Sequence, residues 1–496
     1  MSTRKSVAII GAGVSGLAAA KAFKEKGHEV FVFERAHDLG GVWEPSRSYL
    51  DVQTQSLKDL YRFTDQAMPD DYPEWPKGPQ VHAYLDSYAE NHGLKEHISF
   101  NTAVASMNRR ADGEPGWTLT LKPAKGKSKK QDFDFVAVGT GQFSEKNVLT
   151  HSGQKEFEAS GGQVMHSSEY TDPAIVKGRD VVVLGFSKSA TDIAVNAVQS
   201  GANAVTIVYR ESVWRIPYFI GGLINFKRIL YISKQEEFFP GWNMTTVGKV
   251  AQTLGKPLIW ANWRALEALL SVQLKLGKTG LKPKKRLEDE VNCAVPIVTP
   301  GFFDMVADGR IKAVQGTFSS YEKGAMNFTG GEKVKCDLAI LAVGWKLGVP
   351  FLPEEYREKL IEKDGQYRLY RIIANPDLPD MGFVGFNSSF ATVLCAELAA
   401  NWLVRFADGK LGRQPSADEM RENIDQILEW KRKVRPPAMV YGGLCVAPYH
   451  FRHFDELLAD MGVEKRHASF VAENFKPPNA DAYREFLDST SQYSVT

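Results

Sequence analysis

The chain opens on a four-residue apolar run at 7–10, a glycine-punctuated turn, a stretch of small residues at 14–23, and a second apolar run, HEVFVFE, ending on Glu34. Short apolar runs flanking a helix-length segment predict a strand, a crossover helix and a parallel second strand. The pattern recurs at 180–209, where VVVLG precedes a predicted helix over 188–198, a stop at Gly201 and the strand AVTIVYR. Two βαβ units in one chain predict an α/β protein with two Rossmann-like dinucleotide-binding domains.

Between the units the alternation breaks. Residues 40–78 are rich in proline and aromatics and read as a long ordered loop, a length that in compact domains is usually functional. A helix is predicted at 81–90, strands at HISF and 102–107, and a hairpin from WTLTLK to DFVAVGTG with a lysine-rich tip. Residues 220–292 carry helical periodicity in VGKVAQTLG and NWRALEALLSVQLKL and read as an inserted helical subdomain. Strands and turns return in AVPIVTP, GRIKAVQG and CDLAILAVG. A strand at FVGF then leads into a helical stretch from Thr392 to Phe406, stopped at Gly409, with Leu394, Leu398 and Trp402 on its apolar face. The domains expected are 1–175 with 326–496 for one nucleotide, and 176–325, including the insert, for the other.

The turns supply the candidate chemistry. Gly11, Gly13 and Gly16 form GxGxxG: the first permits the tight turn, the second admits a pyrophosphate to the backbone, and the third lets helix pack on strand. Ser15 starts the helix. Glu34 stands where an acid holds a ribose hydroxyl, followed by Arg35. The second turn, GFSKSA, keeps Gly185 but has Ser187 at the central position and Ala190 at the third, with Lys188 and Ser189 adding a charge and a donor where phosphates sit. Arg210 replaces the acid at the end of its second strand. An arginine there suits a 2′-phosphate and favours NADPH over NADH, the alternative being a surface arginine after a strand.

Composition narrows the class. With 61 basic and 59 acidic residues the net charge is +2, so no global field draws the chain to nucleic acid, and 43% hydrophobic residues can fill two or three cores in 496 residues. The cysteines Cys293, Cys336, Cys395 and Cys445 form no CxxC pair and no metal-ligand cluster. Buried reduced thiols, a cytoplasmic location and no metal are therefore expected. No signal peptide or spanning helix is read. KPKKR at 282–286 reads as a solvated loop rather than a targeting patch.

Several segments together resemble the class B flavin-dependent monooxygenases, in particular the flavin-containing monooxygenase type. FEASGGQVMHSSEY at 157–170 is similar to the FxGxxxHxxx(Y/F) fingerprint: Gly162, His166 and Tyr170 are spaced as required, while Ser160 occupies the phenylalanine position and Phe157 lies three residues early. GGVW at 40–43, VGTGQFS at 138–144, RESVWRIP at 210–217 and LAVGWKLGVPFL at 341–352 resemble further family segments, over roughly 1–220 and 290–410. The resemblance implies FAD near Gly41, Val42, Trp43, Val104, Thr140, Gly141 and Thr392 as well as the first turn. It implies NADPH beside Val343, Gly344 and the second turn, with His166 as a structural linker. Gln55 sits where the family carries a flavin-side asparagine; its amide donates to the oxygenated flavin, or it is an ordinary loop residue.

The implied reaction is NADPH- and FAD-dependent oxygenation of a soft nitrogen or sulfur in a small organic substrate by O2 through a C4a-hydroperoxyflavin, with NADP⁺ retained. Baeyer–Villiger oxidation of a ketone is one alternative. A non-oxygenating FAD/NADP redox sensor is another, and a disulfide reductase lacks its cysteine pair. The helix at Thr392 would point its positive end at the flavin or serve only the core. The aromatic insert shapes a substrate entrance, packs as a satellite core or touches a membrane surface, and self-association is compatible with the sequence.

Overall fold

In a computed structural model the described residues are 4–227, 233–242, 244–291, 295–463 and 480–489. Ten parallel strands organise them. In chain order they are β1 (Ser6–Ile10), β2 (Glu29–Phe33), β3 (Ile98–Ser99), β4 (Phe135–Val138), β5 (Gln163–His166), β6 (Asp180–Leu184), β7 (Ala204–Tyr209), β8 (Lys312–Gln315), β9 (Leu338–Leu341) and β10 (Met381–Phe383). One sheet has the order β10-β4-β1-β2-β3 and the other β8-β7-β6-β9-β5, every pairing parallel. In both, the strand carrying the glycine turn lies between its crossover partner and a strand arriving from much later in the chain. The connections therefore leave it in opposite directions, which opens a crevice at its carboxyl end.

The strands read as continuous apolar runs because helices or neighbouring layers cover both sheet faces: β4, β6 and β9 are buried at every position. Principal helices are α1 (Val14–Glu25), α2 (Lys188–Gln199), α3 (Lys256–Gln273), α4 (Thr392–Ala407), α5 (Ala417–Lys433) and α6 (His450–Asp460). On α4, the face carrying Leu394, Leu398 and Trp402 is buried, and α1 packs directly on this helix. Such close packing requires small residues on α1, which supplies Ala18, Ala19, Ala20 and Ala22, all buried. No described helix is long and apolar enough to cross a membrane.

Two expectations change. Strand pairing draws β5 and β9, both outside the expected 176–325, into the second sheet. Parallel strands far apart in sequence can be joined only after folding has placed them side by side, and no local pattern marks which sheet they enter. The lysine-rich hairpin tip is also shorter than expected: Lys129 and Lys130 begin the strand Lys129–Phe133, paired antiparallel with Trp117–Pro123, and β4 leaves the hairpin to join the parallel sheet.

Behind α4 the C-terminal helices enclose titratable side chains. His453 Nε2 faces the Asn387 amide nitrogen at 2.9 Å, so this ring nitrogen accepts and the imidazole is neutral. Burial depresses both His450 and His453 to about 3. Glu397 accepts two bonds from Thr64, both 2.9 Å, and burial pushes its carboxyl up to about 7. The signs oppose each other. A histidine held neutral contributes stability present above the unfolded pKa of about 6.5 and lost as pH falls toward 3, whereas Glu397 contributes stability lost as pH rises from about 4.5 to 7. His453→Gln keeps an acceptor for Asn387 and removes one titration. Relative to wild type, the variant should gain about 2 kcal/mol as pH is lowered from about 6.5 to 5, read from denaturant melts. A pH-independent difference between the two proteins contradicts the buried neutral histidine.

Candidate active-site cleft

The carboxyl ends of both sheets open into one cleft of ≈ 1460 Å³. On the first side, Gly11 has φ +103° and a Cβ there would lie 2.9 Å from the Gly139 carbonyl oxygen, while a Cβ on Gly16 would lie 1.8 Å from the Gly11 oxygen. The turn, the start of α1 and the end of β4 thus meet at backbone contact, which only glycine allows. A Cβ on Gly13 would press on Gly41 Cα at 3.3 Å, so the loop carrying Gly40, Gly41, Val42 and Trp43 closes directly over the turn. Glu34 is buried, and its carboxylate accepts from the Ala12 and Ala36 amides at 2.8 and 2.9 Å. Those bonds fix its direction and leave further lone pairs for a hydroxyl donor. Arg35 pairs with Glu145 at 2.7 Å.

Gly11, Gly13, Ser15, Glu34, Arg35, Gly41, Val42, Trp43, Val104, Thr140, Gly141 and Thr392 all line this cleft, while Gly16 lies behind the turn as a packing residue. Thr140 Oγ1 is buried without a hydrogen-bond partner, an unsatisfied group in the cleft wall where a polar ligand atom fits. Thr392 is the first residue of α4, whose amino end faces the cleft with no side-chain cap.

Gly185, Ser187, Ser189, Arg210, Val343 and Gly344 line the other side. Gly185 has φ +135° and a Cβ there would lie 2.2 Å from the Ala342 oxygen; Ser187 has φ −82°, which any residue adopts. The Ser187 and Ser189 hydroxyls are 3.2 Å apart. Arg210 is exposed, and its guanidinium has no ion-pair partner among the described residues. Ala190 is buried in the core and does not reach the cleft. Lys188 differs from expectation: it lines the cleft, but its ammonium is drawn into an ion pair with Asp192 one helical turn along, and burial lowers its pKa despite that carboxylate.

The two sides are linked across the cleft. Gln55 lines it with an exposed side chain; its carbonyl accepts from the Ile297 amide at 2.9 Å, leaving the NH2 group as the free donor. Arg47 lies over the Trp345 ring at 5.2 Å and donates to the Phe143 carbonyl at 2.8 Å.

A family model described as FMO-like, flavin-binding monooxygenase-like, matches residues 4–466. The chain belongs to this family. It is 31% identical to a probable flavin-containing monooxygenase 1 of Arabidopsis thaliana, covering 97% of this chain and 96% of that protein. It is 30% identical to flavin-containing monooxygenase 3 of Canis lupus familiaris, over 86% of this chain and 78% of that one. Among solved structures it shares its fold with S-allyl-L-cysteine S-oxygenase of Allium sativum (TM-score 0.62, 18% identity, 99% of this chain and 100% of that one). Cyclohexanone monooxygenase is also similar (TM-score 0.67, 16% identity, 92% and 97%). The chain is therefore a flavin-dependent monooxygenase-family enzyme with FAD and NADPH as its cofactors, and the glycine cradles and the unsatisfied Thr140 hydroxyl fit such ligands.

In this flavin-binding monooxygenase-like chain the family fingerprint is preserved by packing rather than by spacing. Phe157 is fully buried with its ring against Gly162, where a Cβ would meet it at 2.5 Å. His166 does not line the cleft. Its ring lies between Ser168 Oγ at 2.9 Å and the Gly344 carbonyl at 3.2 Å, and burial lowers its pKa, so it fastens β5 to the segment after β9. No cysteine lines the cleft among the described residues. Cys336 and Cys395 are buried free thiols, but Cys445 is disulfide-bonded, so the all-reduced expectation fails there; Cys293 lies outside the described residues.

The sequence reading missed the group that joins the two sides. Asp192 on α2 accepts from Tyr49 Oη at 2.8 Å, from Thr299 Oγ1 and from Lys188. Arg215, fully buried between the Phe186 and Phe302 rings, reaches Thr191 beside it and donates to the Phe186 carbonyl. The available signal was the four-residue spacing of Lys188 and Asp192 on one helix face. Asp192→Asn strands a buried ammonium and should cost about 3 kcal/mol in denaturant melts. Pairing it with Lys188→Met should restore most of that loss. Additive destabilisation in the double variant contradicts the coupling.

Proposed function

We propose that this chain is an NADPH- and FAD-dependent monooxygenase that oxygenates a soft nitrogen or sulfur of a small, largely apolar substrate. The observation carrying this reading is that both glycine turns face one cleft with the Gln55 amide between them. When bound, the flavin supplies hydride acceptance and oxygen activation, so side chains need only bind, orient and exclude water.

In this reading Gly11, Gly13, Gly41 and the amino end of α1 hold the FAD pyrophosphate, Glu34 its ribose, and Thr140 and the start of α4 the remaining polar edge. Gly185, Ser187 and Ser189 hold the nicotinamide nucleotide's pyrophosphate, and Arg210 its 2′-phosphate. Lys188 acts from behind, through Asp192. The Gln55 NH2 donates a hydrogen bond toward the reacting oxygen while Ile297 pins its carbonyl. Apolar walls at Val52, Ile216, Phe226, Val295, Ile297 and Phe390 exclude water from the same cavity and favour an uncharged substrate region.

NADPH oxidation measured across amines, thioethers and cyclic ketones, with product and peroxide analysis, tests the reading. N-oxide or S-oxide formation is expected; ester formation alone would replace it with Baeyer–Villiger chemistry, and unreactive reduced enzyme would leave only redox binding. Arg210→Ala should raise the NADPH KM about tenfold or more and leave that for NADH unchanged. An unaltered NADPH preference removes the phosphate role. Gln55→Leu should divert about tenfold more reducing equivalents to peroxide without changing the NADPH KM, and unchanged coupling would make Gln55 a loop residue only.

A further inference from the structure

Arg215 is only 1% exposed, and no carboxylate pairs with it among the described residues. Its neighbours hold it in place. Trp214 donates its amide to Glu290 at 2.9 Å and its indole N–H to the Lys285 carbonyl at 2.8 Å, while Ile216 forms a parallel bridge with Ile297. The guanidinium lies 4.7 Å from the Phe186 ring and 5.8 Å from the Phe302 ring, a planar, weakly hydrated cation on aromatic faces. Its Nε has no acceptor. Burial lowers its pKa to about 10, which still leaves it charged at neutral pH. Replacing such a buried charge by an apolar side chain of similar volume is often neutral or stabilising, so packing does not account for an arginine here.

The bonds it makes lead to the second glycine turn. One NH2 group donates to the Phe186 carbonyl, in the middle of GFSKSA. The Phe186–Ser187 peptide is trans, so its N–H points away from its carbonyl. With the carbonyl anchored on the buried guanidinium, the Ser187 amide is directed toward the cleft that Ser187 lines. The other NH2 group donates to Thr191 Oγ1 at 3.4 Å, and Thr191, 2.7 Å from Thr299 Oγ1, continues the chain of hydroxyls to Asp192. Asp192 already receives Lys188, so two cations share one carboxylate. One positive charge stays uncancelled behind the turn, at the amino end of α2, where the first amides of the helix have no intrahelical acceptors.

We propose that Arg215 is the positioning residue and buried counter-charge for the diphosphate of the nicotinamide nucleotide, acting through the Phe186–Ser187 peptide. Both nicotinamide nucleotides carry that diphosphate, so Arg215 serves NADPH and NADH alike, whereas the 2′-phosphate role of Arg210 separates them. The assignment rests on the reading that Gly185, Ser187 and Ser189 hold the diphosphate, and it is independent of which atom the enzyme oxygenates.

The test is calorimetric binding of NADP⁺ and NAD⁺ to the FAD-loaded full chain, together with its melting temperature in the absence of nucleotide. Arg215→Met should weaken both nucleotides by the same factor, about tenfold, with FAD content unchanged and the melting temperature equal to that of wild type or higher. Arg215→Lys, which keeps the charge, should stay within about threefold of wild type. Arg215→Gln, polar but neutral, takes the place of the Met variant if that chain does not fold, with the same loss of affinity expected. Unchanged affinity in the neutral variants overturns the proposal, as does a loss confined to NADP⁺. A lowered melting temperature with the Lys variant binding as weakly as the neutral ones makes Arg215 a packing residue and overturns it too. Ser187→Asp separates this assignment from the reading beneath it, since a negative charge at the turn should abolish binding of both nucleotides. If the Asp variant binds like wild type, the turn does not hold the diphosphate and both statements fall; if it fails to bind while Arg215→Met binds normally, only the Arg215 assignment falls.

Discussion

The largely enclosed carboxylate of Asp192 is the point at which the two halves of this enzyme hold each other. It receives Lys188 from its own helix, Thr299 from the chain returning out of the insert, and Tyr49 from the loop of the other nucleotide domain. Inter-domain contacts in multidomain chains are ordinarily loose and permit relative motion. Here a charge-bearing node sits in the contact, seconded by the Gln55–Ile297 bond and by Asn196, which accepts from Tyr170 at 2.6 Å and donates to Asp51 at 3.0 Å. Hydride transfer needs reacting atoms about 3–3.5 Å apart. A tie between the domains that hold donor and acceptor is what such a tolerance demands.

The two glycine turns show how far one physical requirement can be met by different residues. Gly13 and Ser187 have nearly the same backbone, φ −82° with ψ −170° and −174°, so conformation does not demand glycine at either. What differs is crowding: the Gly40–Trp43 loop presses on Gly13 at 3.3 Å, whereas a hydroxyl fits at Ser187. Gly11 and Gly185 are required for another reason, since both have positive φ and both abut the carbonyl of the neighbouring strand's exit. The fold thus imposes the first glycine of each motif and, in the first turn, also Gly16, whose Cβ would lie 1.8 Å from the Gly11 oxygen; the second turn departs from the pattern where its packing permits.

Strand, turn and helix positions in both βαβ units and the family segments were legible in the chain, and most residues singled out there line the cleft, because glycine at a strand exit and apolar runs of strand length are local consequences of local residues. Lys188 was misjudged because its partner's effect depends on burial. Phe157 appeared out of place because spacing was counted along the chain, while its ring returns to Gly162 through a helical turn. β5 and β9, which lie outside the expected limits of the second domain, join its sheet because β9 pairs with β6 on one side and with β5 on the other.

The order of residues thus established two nucleotide turns, their inequality and the family, since each depends on side chains within about a turn of one another. Folding decided everything that requires distant segments to meet. It set which strands share a sheet, put both turns on one cleft, turned Lys188 inward to Asp192 and Gln55 toward Ile297, and buried Arg215 behind the second turn. Burial and long-range pairing are properties of the packed chain, and periodicity alone indicates that a helix has two faces without saying which of them meets water.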